Sequence, residues 1–188
     1  MESTLVSRCQ AGDQDAFARL FDQYKNLVYR TAVLTLGDPV EAEDVMQEVF
    51  VQVHRHLGKY DPARGAFTTW LYRITVNRSL NWRRRLPTTR SFDDLPEHAM
   101  LGEQRDEESR LDDGAAVQQA LGRLSPKLRV VIVLRYYWDL PYAEIAEVLE
   151  VPLGTVKSRL NAALQALHAA LRGEPFGLAN RRPDNELP

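Results

Sequence analysis

The chain has 188 residues, 44% of them hydrophobic and 27% charged, with a formal net charge of −2. This is the composition of a soluble globular protein with one medium domain or two small ones. No run of eighteen apolar residues is available to span a membrane, and the N-terminal MESTLVSRCQAGDQDAF has acids but no apolar h-region, so a signal peptide is not expected.

Helical periodicity runs through residues 1 to about 85, without a useful alternating strand pattern. It predicts helices near 3–11, 14–36, 39–57 and 66–85. Gly12-Asp13, Gly37-Asp38-Pro39 and Asp61-Pro62 with Gly65 punctuate the breaks. The first helix carries Cys9, the single cysteine of the chain. It excludes an intramolecular disulfide, suits a reducing cytoplasm, and is expected to be structurally inert.

The helix at 39–57 places Val45, Met46, Val49, Phe50, Val53 and Leu57 on one side as a core stripe. Asp44, Gln47, Glu48 and Arg55 fall on the other side, with Val51 among them. Such a face is either simply solvated or a docking patch for another protein. In the next helix, AFTTWLYRITVNRSLNWRRR, the residues Phe67, Trp70, Leu71 and Ile74 form an apolar face. Arg73, Asn77, Arg78, Asn81, Trp82, Arg83, Arg84 and Arg85 supply cations, amides and a flat ring elsewhere. Cations suit phosphates and planar groups suit unstacked bases, so this segment is expected to contact melted nucleic acid.

From Leu86 to about Asp113 lie Pro87, Pro96, Gly102 and many acids, read as a flexible or locally helical linker. A second helical domain follows from about Ala115 to Leu171, with Ser125-Pro126 starting one of its helices. The tail from Gly173 reads as a frayed end or a regulatory extension.

IAEVLEVPLGTVKSRLNAAL, from Ile145 to Leu164, has the spacing of a helix-turn-helix, with Ala146, Val151, Val156 and Leu160 as packing positions. On its second helix Val156, Leu160, Ala163, Leu164 and Leu167 are expected to face the core. Ser158 and Asn161 point outward as candidates for base edges, with Lys157 and Arg159 flanking as phosphate contacts. Gly154 and Thr155 sit at the helix N-terminus, which favours a phosphate. Glu150 occupies the turn position where glycine is common, so it must take a left-handed backbone.

The modest net charge hides strong asymmetry. Lys59, Arg64, Arg73, Arg78, Arg83, Arg84, Arg85 and Arg90 form a basic block opposed by Asp61 alone, and an acidic block from Asp93 to Asp113 follows. Such asymmetry points to partners rather than to the fold.

Three stretches in this order, DVMQEVFVQVHRHL, FTTWLYRITVNRSLNWRRR and LSPKLRVVIVLRYYWDLPYAEIAEVLEVPLGTVKSRL, resemble the extracytoplasmic-function (ECF) sigma factors, bacterial transcription initiation factors. The resemblance spans about Leu5 to Leu171. It implies an all-α chain of two small helical domains: region 2 over 1–90, an acidic linker over 91–113, a region 4 helix-turn-helix over 114–172, and a disordered tail over 173–188. It implies docking of Asp44, Gln47, Glu48, Val51 and Arg55 on core RNA polymerase, at the β′ clamp helices, with β as a further contact. Residues around Asn81, Trp82 and Arg83–Arg85, extending into the loop Leu86–Ser91, would recognise and melt the −10 promoter element and hold a flipped base. The helix-turn-helix would read the −35 element, and the linker would thread the polymerase cleft. An anti-sigma factor is the expected regulatory partner.

The chain departs from many relatives after Ser158-Arg159, where Asn161-Ala162-Ala163-Leu164 replaces further arginines. The −35 preference is therefore not transferable from them. His54, His56, His98 and His168 form no metal set, and no phosphate loop or catalytic triad is visible, so no enzyme activity, metal or cofactor is expected. Two competing readings are a helix-turn-helix repressor and a sigma-like decoy that titrates an anti-sigma factor.

Overall fold

The computed structural model describes residues 2–85 and 110–172, and for residues 2–3, 83–85, 110–115 and 118 the backbone alone. The loop Leu86–Ser91, most of the acidic segment and the tail from Gly173 lie outside the described residues. Among those described there are only helices and turns, in the order α1 (Glu2–Gln10), α2 (Gln14–Leu36), α3 (Pro39–His56), α4 (Phe67–Arg85), α5 (Arg110–Arg123), α6 (Pro126–Ile132), α7 (Tyr142–Leu149) and α8 (Leu153–Leu171).

Local chemistry sets the first boundaries. Asp13 caps α2 by accepting from the Ala16 N–H, and Arg8 holds the same carboxylate. Both contacts keep the Asp13 carboxyl below its ordinary pKa, the Ala16 N–H first. Gly37 ends α2 in the left-handed region (φ 80°) and donates its N–H to the Val33 carbonyl. A residue lacking Cβ adopts this conformation without a steric penalty. Asp38 then caps α3, accepting from the Val40 and Glu41 N–H groups, and Pro39 follows in the first turn, where its missing N–H is not needed.

The first unit packs α2, α3 and α4 around Leu20, Val28, Val45, Val49, Phe50, Val53, Phe67 and Leu71. The stripe expected on α3 is the one buried, with Met46 partly covered at its rim. Two 3₁₀ turns, Leu57–Lys59 and Pro62–Arg64, lead into α4. The Gln10 amide ties the first of them to α1 by donating to the Leu57 and Tyr60 carbonyls.

The second unit begins at Arg110, inside the stretch expected to be linker. Ser125 stands at the cap of α6 with Pro126 behind it, but its side chain makes no capping bond. A π-helical turn, Val133–Tyr137, extends α6. Helices α7 and α8 form the helix-turn-helix, and Glu150 joins them with a left-handed backbone at φ 52° and ψ 45°. Val156, Leu160 and Ala163 are buried as expected, and Leu167 is partly buried. Leu164 is not a core residue: it is 42% exposed. It lies about 80° around the helix from Val156, at the rim of the stripe.

The two units share an apolar cluster. Tyr72 and Val76 of α4, with the partly buried Leu27 and Leu80, pack with Leu124, Val130, Leu134, Ile145 and Val148 of the second unit. The Tyr72 and Trp138 rings lie 5.4 Å apart. Burial pushes the Tyr72 phenol far above its ordinary range, and the charge of Glu144 on α7 adds to the effect.

Among the described residues Arg129 is the largest fully buried side chain. It donates to the Gly122 carbonyl at 2.6 Å, to Leu124 at 3.3 Å and, across the units, to Thr35 at 3.4 Å. Gly122 and Thr35 lie in the last turns of α5 and α2, where carbonyls lack intrahelical partners and the helix dipole favours a cation. A buried guanidinium is costly unless so satisfied. The buried hydroxyls of Thr31, Thr35, Thr75 and Ser79 each donate to the carbonyl four residues earlier, which removes their desolvation cost.

Two measurements check this description. Asp38→Ala removes both capping bonds of α3 and is expected to lower unfolding free energy by about 1 kcal/mol in denaturant titration. The Cys9 thiol is pushed up, first by burial and then by the charge of Asp13. Its thiolate is therefore scarcer at neutral pH than that of free cysteine. Alkylation by iodoacetamide at pH 7 is expected to be slower than for free cysteine and to accelerate only above the ordinary thiol range.

Candidate nucleic-acid and polymerase interfaces

On α3, Asp44, Gln47, Val51 and Arg55 are exposed on the side opposite the core, with Val51 half in solvent. Glu48 differs. Its Oε2 lies 3.2 Å from Nε of Arg78 on α4, as an ion pair without hydrogen-bond alignment, and both side chains are partly covered. One residue of the docking set is thus engaged with one residue of the −10 set.

On α4, Asn77 and Asn81 are exposed one turn apart and form a row of amides. Arg73 does not point along that row. Its Nη1 lies 3.3 Å from Oε1 of Glu150, in the helix-turn-helix turn. Trp82 is half-buried against the first core, and its Nε1 is shielded, with no hydrogen-bond partner among the described residues. The helical backbone continues through Arg85, but the side chains of Arg83, Arg84 and Arg85 lie outside the described residues.

Sequence reasoning missed a concave feature next to this row. A cavity of about 430 Å³ is lined by Lys59, Tyr60, Arg64, Thr69, Trp70 and Arg73, with Asp61 and, from α7, Glu147. Tyr60, Phe67 and Trp70 stack in a triangle with centroids 5.5–5.6 Å apart. The Tyr60 hydroxyl donates to the Gly65 carbonyl, and Asp61 caps the turn through the Ala63 N–H, so the loop is held in shape. Trp70, expected on the apolar face of α4, is half-buried: it packs against the first core and also forms a wall of the cavity. Lys59 and Arg64 were visible only as members of the basic block.

On α8, Gly154, Lys157, Ser158 and Asn161 are exposed, while Thr155 and Arg159 are half-buried. The Ser158 hydroxyl donates to the Thr155 carbonyl at 3.0 Å. The Thr155 N–H already donates to the Pro152 carbonyl at 2.8 Å, so it is engaged within the chain rather than presented to a phosphate.

Among the described residues no group of three or more His, Cys, Asp or Glu is placed to hold a metal ion, and no helix is long and apolar enough to cross a membrane. The arrangement offers cations, amides and aromatic walls, which is chemistry for binding a polyanion.

Comparison with known proteins agrees. Residues 20–89 match Sigma-70 region 2, and residues 114–167 match Sigma-70 region 4. The chain is similar to the ECF RNA polymerase sigma factor SigW of Bacillus subtilis, with 33% identity over 186 residues covering 89% of this chain and 95% of that protein. It is similar to the RNA polymerase sigma-H factor of Pseudomonas aeruginosa, with 35% identity over 184 residues covering 91% and 94%. Among solved structures, CnrH in complex with the cytosolic domain of CnrY matches with a TM-score of 0.66 and 26% identity, covering 93% of this chain and 99% of that one. With region 2 and region 4 both present and in that order, the chain belongs to the ECF RNA polymerase sigma factors and is a transcription initiation factor.

Proposed function

We propose that three surfaces divide the work of initiation. The exposed face of α3, Asp44, Gln47, Val51 and Arg55 with Glu48 at its edge, docks on core RNA polymerase at the β′ clamp helices. Asn77, Asn81, Trp82 and the cations Arg73, Arg78 and Arg83–Arg85 contact the −10 element. Lys157, Ser158, Arg159 and Asn161, with Gly154 and Thr155 at the start of α8, contact the −35 element. The observation that carries this reading is the pair of exposed polar rows, Asn77–Asn81 on α4 and Lys157–Ser158–Asn161 on α8, borne by separate helices of one chain. The aromatic and cationic cavity beside Trp70 supports a role for α4 with unstacked bases, which gain roughly 1–3 kcal/mol each on an aromatic platform.

On this reading the chain performs no catalysis of its own; the polymerase does. It acts in the cytoplasm, needs no cofactor, and is held in check by an anti-sigma factor. Run-off transcription with purified core polymerase on a promoter mapped as dependent on this protein tests the proposal. A transcript is expected, whereas a helix-turn-helix repressor or a decoy yields none.

Two substitutions test the division of labour. Asp44→Lys is expected to abolish co-purification with core polymerase while leaving helicity unchanged; wild-type affinity would remove α3 from the docking role. Asp44 is a cleaner probe than Glu48, whose replacement also releases Arg78. Asn81→Ala is expected to impair −10 opening more than polymerase binding, and a normal permanganate-reactive bubble would contradict it.

A further inference from the structure

Helices α3 and α4 pack side by side, and the residues that follow Glu48 and Arg78 in them, Val49 and Ser79, are buried. Glu48 and Arg78 therefore lie at the rim of that contact, with side chains 36% and 28% exposed. Their ion pair is made on one edge of the guanidinium. Glu48 presents Oε2 to Nε of Arg78 at 3.2 Å, and these two atoms are shielded from solvent. The Nη groups of Arg78 are not shielded, and the residue has no other partner among those described. Trp82, half-buried one turn further along α4, stands on the same side of the helix.

A strong carboxylate–guanidinium pair uses two parallel N–H groups in bidentate register. Here the contact lacks hydrogen-bond alignment, and a partly exposed pair of this kind adds little to the stability of the fold. What it does fix is the direction of a long side chain.

Resting on the reading proposed above, we infer that Glu48 is a positioning residue, which holds Arg78 by its Nε edge so that the Nη fork faces a backbone phosphate of the separated −10 strand. Arg78 follows Asn77 and precedes Asn81 on α4, so it flanks the amide row. A strand whose bases meet that row carries its phosphates along the flank, where a cation is needed. The guanidinium is planar and has donors on more than one edge, so it accommodates a carboxylate and a phosphate together. Their mutual repulsion is limited, because salt screens exposed charges beyond about 8 Å. Without Glu48 the arginine has its rotatable bonds to immobilise on binding, and affinity falls for that reason. Glu48 thus stands on the rim of the α3 face while acting on the −10 contact through Arg78.

The test uses holoenzyme formed from the full-length chain and saturating core polymerase, so that a change in docking does not enter. Labelled single strands spanning the −10 element of the mapped promoter are titrated by anisotropy at several salt concentrations, and the tighter-binding strand is followed. Arg78→Gln is expected to lose about tenfold in affinity and to flatten the slope of log affinity against log salt by roughly 0.7, as for one phosphate contact on a single strand. Glu48→Gln is expected to lose about threefold with that slope unchanged, since the phosphate is still met, but by an unheld side chain. Adding Glu48→Gln to Arg78→Gln should cost nothing further, because no arginine is left to position. Glu48→Gln binding as tightly as the wild type, or losing affinity equally with and without Arg78, overturns the positioning role. A slope that falls with Glu48→Gln as far as with Arg78→Gln also overturns it. Wild-type holoenzyme that prefers neither −10 strand to a scrambled one sinks the −10 reading itself, whereas specific binding that is indifferent to Glu48→Gln sinks the positioning role alone.

Discussion

The constraint on which the structure depends is that α4 is apolar on two sides. Phe67, Leu71 and Ile74 complete the first core, while Tyr72, Val76 and, in part, Leu80 enter the second. A helix used this way leaves only a narrow strip for solvent, and that strip carries Asn77 and Asn81. Burying a side chain such as Val or Leu is worth about 1.5–3 kcal/mol. Both units therefore gain from the same nineteen-residue helix, and the position of its polar strip is fixed from both sides. Precision at the amide row follows from packing rather than from hydrogen bonds made by the amides themselves.

Charge placement follows the same economy. Three acids are turned onto cations: Glu48 onto Arg78, Glu150 onto Arg73 and Asp139 onto Arg135. These pairs are at least partly exposed and contribute little stability, typically up to about 1 kcal/mol. Arg129 is the opposite case: its guanidinium is buried, it is satisfied by carbonyls at the ends of helices from both units, and removing it would strand those acceptors.

Much of this was legible in the sequence because the helices are long and their caps explicit. Asp13, Gly37, Asp38 and Pro39 mark boundaries within one residue of those observed, and the all-α class and the helix-turn-helix follow from periodicity. The stripe on α3 and the left-handed Glu150 were also readable, since each is decided by local geometry. The second apolar face of α4 was not, because Tyr72, Val76 and Leu80 alternate with arginines and asparagines, and only the other unit shows what covers them. The cavity was missed for a related reason. Lys59, Tyr60 and Arg64 belong to a loop, Trp70 and Arg73 to a helix, and Glu147 to a different unit, so no window of sequence holds them together. Leu164 failed at the rim of a correctly drawn stripe, where a helix passes from covered to exposed within one side chain.

The π-helical turn at Val133–Tyr137 has a consequence for how this protein tolerates length variation. Its closing bond runs from the Trp138 N–H to the Val133 carbonyl, five residues back, so the turn holds one residue more than an α-helical turn would. Beyond it Trp138 meets Tyr72 while Tyr136 stays in solvent. Because the extra residue is absorbed within about one helical turn, deleting one residue here would restore a regular α-helix and leave Trp138 facing nearly the same way. The segment thus tolerates a single-codon deletion that in a regular helix would turn everything behind it by about 100°.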